Sequence, residues 1–341
     1  MSKIVLPAEW YPQSAVQLTW PHRNTDWAPV LDEVIPCFVD IAKEIIKRER
    51  VLIVCTDKAE VRLQLGNVDE SRIIFREIMT NDTWARDHGG ITVLEDGISK
   101  VYDFVFNGWG MKFAANRDNQ ITRLLSLSNS FDKDVEVVNM QPFVLEGGSI
   151  ESDGRGTLLT TMECLCSANR NEYLSKEQLE YHLKDVFGAD NILWLANGYL
   201  SGDDTDSHID MLARFCDEHT IAYVKCDDKE DEHYDELKAM EEELKVFRTT
   251  VGKPYRLIPL PMADAVVWNG ERLPATYANF LIINGAVLVP FYLTDKDETA
   301  RKTLQRVFPD REVVGINCLP LLKQHGALHC VTMQYPEGVV R

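Results

Sequence analysis

The chain has 341 residues, 45% hydrophobic and 26% charged, which is enough to bury a large core in an ordinary globular protein. A formal net charge of -18 disfavours polyanionic partners, so neither nucleic acid nor an anionic membrane surface is expected, whereas small cations are mildly attracted. No apolar run approaches the roughly 20 residues a membrane span needs. No signal peptide is visible, and eight cysteines lack framework spacing, so the expected setting is cytoplasmic with reduced thiols.

The predicted elements alternate between helix and strand. Residues 30–48 place Val34, Ile35, Phe38, Ile41, Ala42 and Ile45 at near-helical spacing, with Pro36 expected near a break or early turn. Residues 51–55 read as a buried strand, 58–65 as a short helix, and 72–75 and 90–94 as strands. A strand at 157–161, a helix at 176–186 ended near Gly188, and a strand at 192–195 follow. Residues 231–247 form a charged amphipathic helix, and the acidic run 227–232 before it reads as solvated. Residues 280–283 and 286–290 are expected to form a hairpin across Asn284-Gly285 in a type I′ turn. Residues 299–307 are the last helix. No linker or low-complexity stretch divides the chain, so 1–341 is expected to be one catalytic domain.

Polar side chains cluster in segments rather than spreading evenly. They are Trp84-Ala85-Arg86-Asp87-His88-Gly89-Gly90, Glu146-Gly147-Gly148-Ser149, Asp206-Ser207-His208-Ile209-Asp210 and, at the end, Leu328-His329-Cys330. Asp87 and Glu146 are 59 residues apart, and Glu146 and His208 are 62 apart. A step of this size suggests about five similar α/β units around an axis, bringing distant segments into one pocket.

The grouped residue types suit one chemistry. Cys330 offers a thiolate nucleophile and His208 a proton shuttle near neutral pH. Asp87, Glu146 and Asp210 would be costly to bury together without a cation among them. A planar guanidinium fits best, because its fork pairs with carboxylates. Sulfur attack on its central carbon, loss of ammonia and hydrolysis would leave a ureido group, with no metal or organic cofactor. Trp84 and Trp109 are candidate substrate-binding aromatics, and the glycine-rich loop 107–112 could cover the site. Asp203, Asp204 and Asp206 lie close to His208 and could meet a tail ammonium.

The segments at 84–90, Asn107-Gly108-Trp109-Gly110, Glu146-Gly147-Gly148, 205–210 and Leu328-His329-Cys330, with Gln334 and Pro336, carry a resemblance spanning most of the chain. The chain resembles the agmatine deiminases of the guanidine-modifying superfamily. That resemblance implies a five-bladed pseudosymmetric α/β propeller. It also implies Cys330 as nucleophile, His208 as general acid/base, Asp87 and Asp210 as guanidinium clamps with Glu146 beside them, and Trp84 along the methylene chain. The chain departs from the family's usual pattern at Gly90, at Ser207 and in His325-Gly326-Ala327, around the substrate tail.

Other readings are blander. His329 would face away from Cys330 in a strand and is not expected to be the base. Cys164-Leu165-Cys166 has the wrong spacing for a metal site, and His22, His182, His219 and His233 read as surface or core residues. The expected partner is a small cationic guanidino compound, and a homo-oligomer is left open. The competing functions are a deiminase of free or peptidyl arginine, an amidinotransferase, and a catalytically degenerate guanidine or polyamine binder. A cysteine peptidase is disfavoured, because peptide hydrolysis wants an oxyanion hole rather than anions.

Overall fold

In the computed structural model, which describes residues 3–341, the fold is mixed α/β. Among the described residues, five sheets share one wiring: a strand, an antiparallel neighbour, a helix, and a third strand returning parallel to the second. The first unit joins the two ends of the chain. Thr332–Pro336 runs antiparallel to Gln13–Thr19, which lies parallel to Arg50–Cys55 beyond the helix Leu31–Ile46. The second uses Ile91–Glu95, Ile98–Val105, the helix Ile121–Leu127 and Glu136–Val144. The third uses Ile150–Ser152, Thr157–Thr161, Lys176–Phe187 and Asn191–Leu195. The fourth uses Ala213–Asp217, Thr220–Lys225, Tyr234–Val246 and Arg256–Pro261. The fifth uses Leu281–Ile283, Ala286–Phe291, Asp295–Val307 and Glu312–Asn317.

The middle strands of the first, third, fourth and fifth units are buried at nearly every position, whereas Ile98–Val105 in the second is exposed at its start. Gln13–Thr19 is buried at every position; Gln17 Oε1 accepts from Tyr335 Oη at 2.9 Å, whereas Gln13 Oε1 is buried without a partner. Pro36 lies inside its helix instead of at a break. The buried face of Val34, Phe38, Ile41, Ala42 and Ile45 holds the helix across the missing donor. The last long helix begins at Asp295, ahead of the expected 299, because Thr294 and Asp297 form a capping box. The hairpin across Asn284-Gly285 is present, but its turn is not type I′. Only Gly285 takes a positive φ, 72°, and Asn284 is held instead by contacts to Gln13 and Glu49.

The connections between successive units carry the chemistry-bearing segments. Residues 84–90 lead into the second unit, 146–149 into the third, 205–210 into the fourth, Asn279 precedes the fifth, and 326–330 lead back to the first.

Candidate active site

Asp87 lies in the one-turn helix Ala85–His88, and its two oxygens are held from different directions. Gly148 N donates to Oδ1 at 3.0 Å, and Trp109 Nε1 donates to Oδ2 at 3.0 Å. His208 Nδ1 is 3.6 Å from Asp87 Oδ1. Asp210, two residues on, has Oδ2 3.8 Å from Cys330 Sγ, whereas its Oδ1 is buried without a hydrogen-bond partner. Gly148 shows where these groups converge. A methyl group there would stand 2.7 Å from Asp87 Oδ1 and His208 Nδ1, and 3.2 Å from Asp210 Oδ2.

Cys330 occupies a turn rather than the strand expected for it; Thr332 N donates back to His329 O at 3.0 Å, and the strand starts only at Thr332. That turn corrects the expectation for His329, whose ring does not face away. Its Nδ1 lies 2.8 Å from Asp210 Oδ2 and its Nε2 2.7 Å from Glu9 Oε2. Asn279 Nδ2 lies 3.3 Å from Cys330 Sγ, and its Oδ1 accepts from His329 N at 2.8 Å.

A cavity of about 150 Å³ opens over Cys330 and Asp87. Trp84, Trp109 and Phe113 wall one side, with Trp84 and Trp109 ring centroids 6.2 Å apart at 80°. Gly326 closes against Trp84, where any Cβ would come 2.2 Å from the ring. Asp26, Asp82, Asp204, Gln324 and His325 are among the other lining residues, which include neither lysine nor arginine. Of the acids expected near the tail, only Asp204 reaches this wall. Asp206 is paired with Arg170 Nη1 and Lys112 Nζ, each at 2.6 Å, and Asp203 accepts from Thr205 and Ser207.

Glu146 is also off the cavity wall. Arg170 Nε bonds both of its oxygens, at 3.0 and 2.9 Å, and both side chains are fully buried. Glu146, His208 and the Cys164 thiol offer ligand-type atoms within 4.8 Å of one another, as do Glu9, Glu151 and His329. In each triad an arginine, Arg170 or Arg214, is bonded to a carboxylate and supplies the positive charge. Cys164, in the helix Met162–Leu165, is buried, whereas Cys166 is exposed.

The electrostatics separate the groups. Burial pushes the Cys330 thiol well above its ordinary range, and the Asp210 and Asp87 carboxylates push it further. Burial alone would pull His208 down, but Asp87, Cys164 and Glu146 outweigh it and hold the imidazole well above its usual value. Burial raises Asp87 to about 6, against the pull of His208. Burial also raises Asp210, but His329 then His208 hold it below the usual range. Elsewhere on the cavity wall, burial lifts Asp204 to about 6 and Asp82 to about 7.

Several members of this constellation escaped the sequence. Glu9, Arg86, Glu151, Arg170, Arg214 and Asn279 sit in local patterns that say little. Arginine inside an apolar run, as in Ala213-Arg214-Phe215, was the available sign of a buried ion pair.

Comparison with known proteins identifies the family. The family profile described as Porphyromonas-type peptidyl-arginine deiminase matches residues 5–336. An agmatine deiminase of Pseudomonas aeruginosa is 33% identical over 356 residues, covering 97% of this chain and 95% of that relative. An agmatine deiminase of C. jejuni, solved with substrate bound, is 38% identical with a TM-score of 0.93, covering 100% of this chain and 98% of that one. A Porphyromonas gingivalis structure proposed to be an arginine deiminase is 56% identical with a TM-score of 0.96, covering 99% and 100%. The chain belongs to the Porphyromonas-type peptidyl-arginine deiminase family and is a hydrolase acting on a guanidino carbon–nitrogen bond.

Proposed function

We propose that the protein deiminates agmatine to N-carbamoylputrescine and ammonia through a covalent amidino-cysteine intermediate. The observation that carries this reading is the gathering of Asp87, His208 and Asp210 around the Gly148 backbone, with Asp210 Oδ2 3.8 Å from Cys330 Sγ. A guanidinium bound in the cavity over Cys330 and Asp87 would have the sulfur near its central carbon, with the Asp210 carboxylate and the His208 imidazole close behind the cavity wall.

The free site holds a thiol and an imidazolium, given the upward shifts of Cys330 and His208. Substrate binding adds positive charge beside sulfur and offsets the two carboxylates, favouring the thiolate. The thiolate adds to the guanidino carbon. His208 passes its proton to the departing amine, and ammonia leaves. Now neutral, His208 takes a proton from water. The hydroxide adds to the amidino-thioether carbon, the carbon–sulfur bond breaks as the adduct's hydroxyl proton passes to sulfur, and the ureido product and the starting thiol remain. Glu146 acts beside His208, fixed by Arg170.

The tail favours agmatine over arginine. Free or peptidyl arginine carries a carboxylate or peptide group where this cavity presents Asp26, Asp82 and Asp204. Agmatine carries an ammonium there. We read the repeated units as the blades of a five-bladed pseudosymmetric α/β propeller forming a single catalytic domain, because each connection between units delivers a side chain to the site. A cytoplasmic setting suits the free cysteines.

The test is ammonia release from agmatine, free arginine and an arginine-terminated peptide, with Cys330→Ala as control. Release from agmatine alone, abolished in the variant, is expected. Release only from arginine or peptide would move the substrate, and release from none would overturn the reading.

A further inference from the structure

We propose that His329 is a positioning residue that fixes Asp210 for the guanidinium, anchored from beneath by the buried pair Glu9–Arg214. This rests on the deiminase reading above. Asp210 has one oxygen committed and one free. Oδ2 lies 2.8 Å from His329 Nδ1, whereas buried Oδ1 has no partner. The oxygen that His329 holds is the one beside the nucleophile, 3.8 Å from Cys330 Sγ, so the imidazole fixes where this carboxylate stands when a guanidinium binds.

The far side of the imidazole is held as firmly. Nε2 lies 2.7 Å from Glu9 Oε2. Both contacts are hydrogen bonds together only when both ring nitrogens carry hydrogen. Glu9 is fixed in turn, its Oε1 accepting from Ile282 N at 2.6 Å and its Oε2 from Arg214 Nη2 at 2.8 Å. Arg214 is fully buried, bonded also to Glu151 and to Phe280 O, with its guanidinium 4.8 Å from the centre of the Phe280 ring. The His329 backbone N–H donates to Asn279 Oδ1 at 2.8 Å, and Asn279 Nδ2 reaches Cys330 Sγ at 3.3 Å. One imidazole therefore ties the clamp carboxylate to a rigid charged base, next to the nucleophile.

The experiment is a double-mutant cycle read as kcat/KM and KM for agmatine. His329→Ala is expected to lower kcat/KM about tenfold to 150-fold, mostly through KM, as loss of a charge-assisted hydrogen bond does. Added to Asp210→Asn, the same change should cost less than about threefold, since its target is already disabled. His329→Asn, whose amide can stand near the place of Nδ1, should recover most of the loss, which keeps the test open if the alanine variant folds poorly. Losses that multiply, with no rescue by asparagine, would make His329 merely structural and overturn the inference alone. No ammonia from agmatine with the unsubstituted protein would overturn the functional reading and this inference with it.

Discussion

Cation binding requires ionised carboxylates, and three on the cavity wall resist ionising. Burial holds Asp87 and Asp204 near 6 and Asp82 near 7. Activity should therefore fall as pH drops from 8 through this window, because each proton gained removes a negative charge that the substrate needs. The acid limb of kcat/KM should be steeper than one proton, and Asp82→Asn should strip its upper part while lowering kcat/KM. A profile flat from pH 8 to 5 would exclude the carboxylate clamp. Asp87, His208, Asp210 and Cys330 were readable from the sequence because their types suit a reaction and recur at a regular step. Their supports were not. Glu9 meets Arg214 and His329 across separations of 205 and 320 residues, and no local spacing records such a pairing.

The loop over the cavity carries the longest run of left-handed backbone near the site. Gly108, Trp109, Gly110 and Met111 take consecutive positive φ values of 71°, 54°, 82° and 66°. Such backbone costs about 1–2 kcal/mol at each non-glycine residue. It is held by Asn107, whose Oδ1 accepts from Gly110 N at 2.9 Å, and by Lys112, whose Nζ donates to Asp204 O and Asp206 Oδ1 at 2.6 Å. The result is the Trp109–Asp87 bond. Gly108→Ala would set a methyl group 2.2 Å from Phe113 O at a φ that alanine resists. It should cut kcat/KM about a hundredfold by displacing Trp109, with tryptophan fluorescence shifted and the main unfolding transition retained. Full activity would show that the loop is not part of the site. The glycines here marked a special backbone in the sequence, but not its hand. Several strands were hidden for a related reason. Gln13–Thr19 looks half polar, yet it is central, and Gln13 Nε2 and Gln17 Oε1 are hydrogen-bonded inside.

Across the whole molecule, features that serve the site work against stability at alkaline pH. Glu49, Asp82 and Asp118 titrate near 7 in the folded protein, and Asp87, Asp103 and Asp204 near 6. In the unfolded chain these groups titrate near 4. From pH 8 downward the folded state thus binds protons before the unfolded state does, so stability rises as pH falls. Put the other way, the stability these groups contribute is fully present below about 4 and is lost as pH climbs through 6 and 7. The opposing groups are His22, His88 and His182, whose pKa values burial lowers; His88 falls to about 3. They destabilise only once the unfolded histidines charge, below about 6.5. The melting temperature should therefore be higher at pH 6.5 than at pH 8. Agmatine should reverse part of that difference. A cation stabilises the ionised forms of Asp82, Asp87 and Asp204, so in Cys330→Ala, which cannot turn it over, the ligand should raise the melting temperature more at pH 8 than at 6.5. Calorimetry at the two pH values, with and without agmatine, checks both signs. Equal ligand shifts at both would mean that the cavity carboxylates do not change protonation on binding, and the cause of the acid limb in activity would have to be sought at Cys330 or His208.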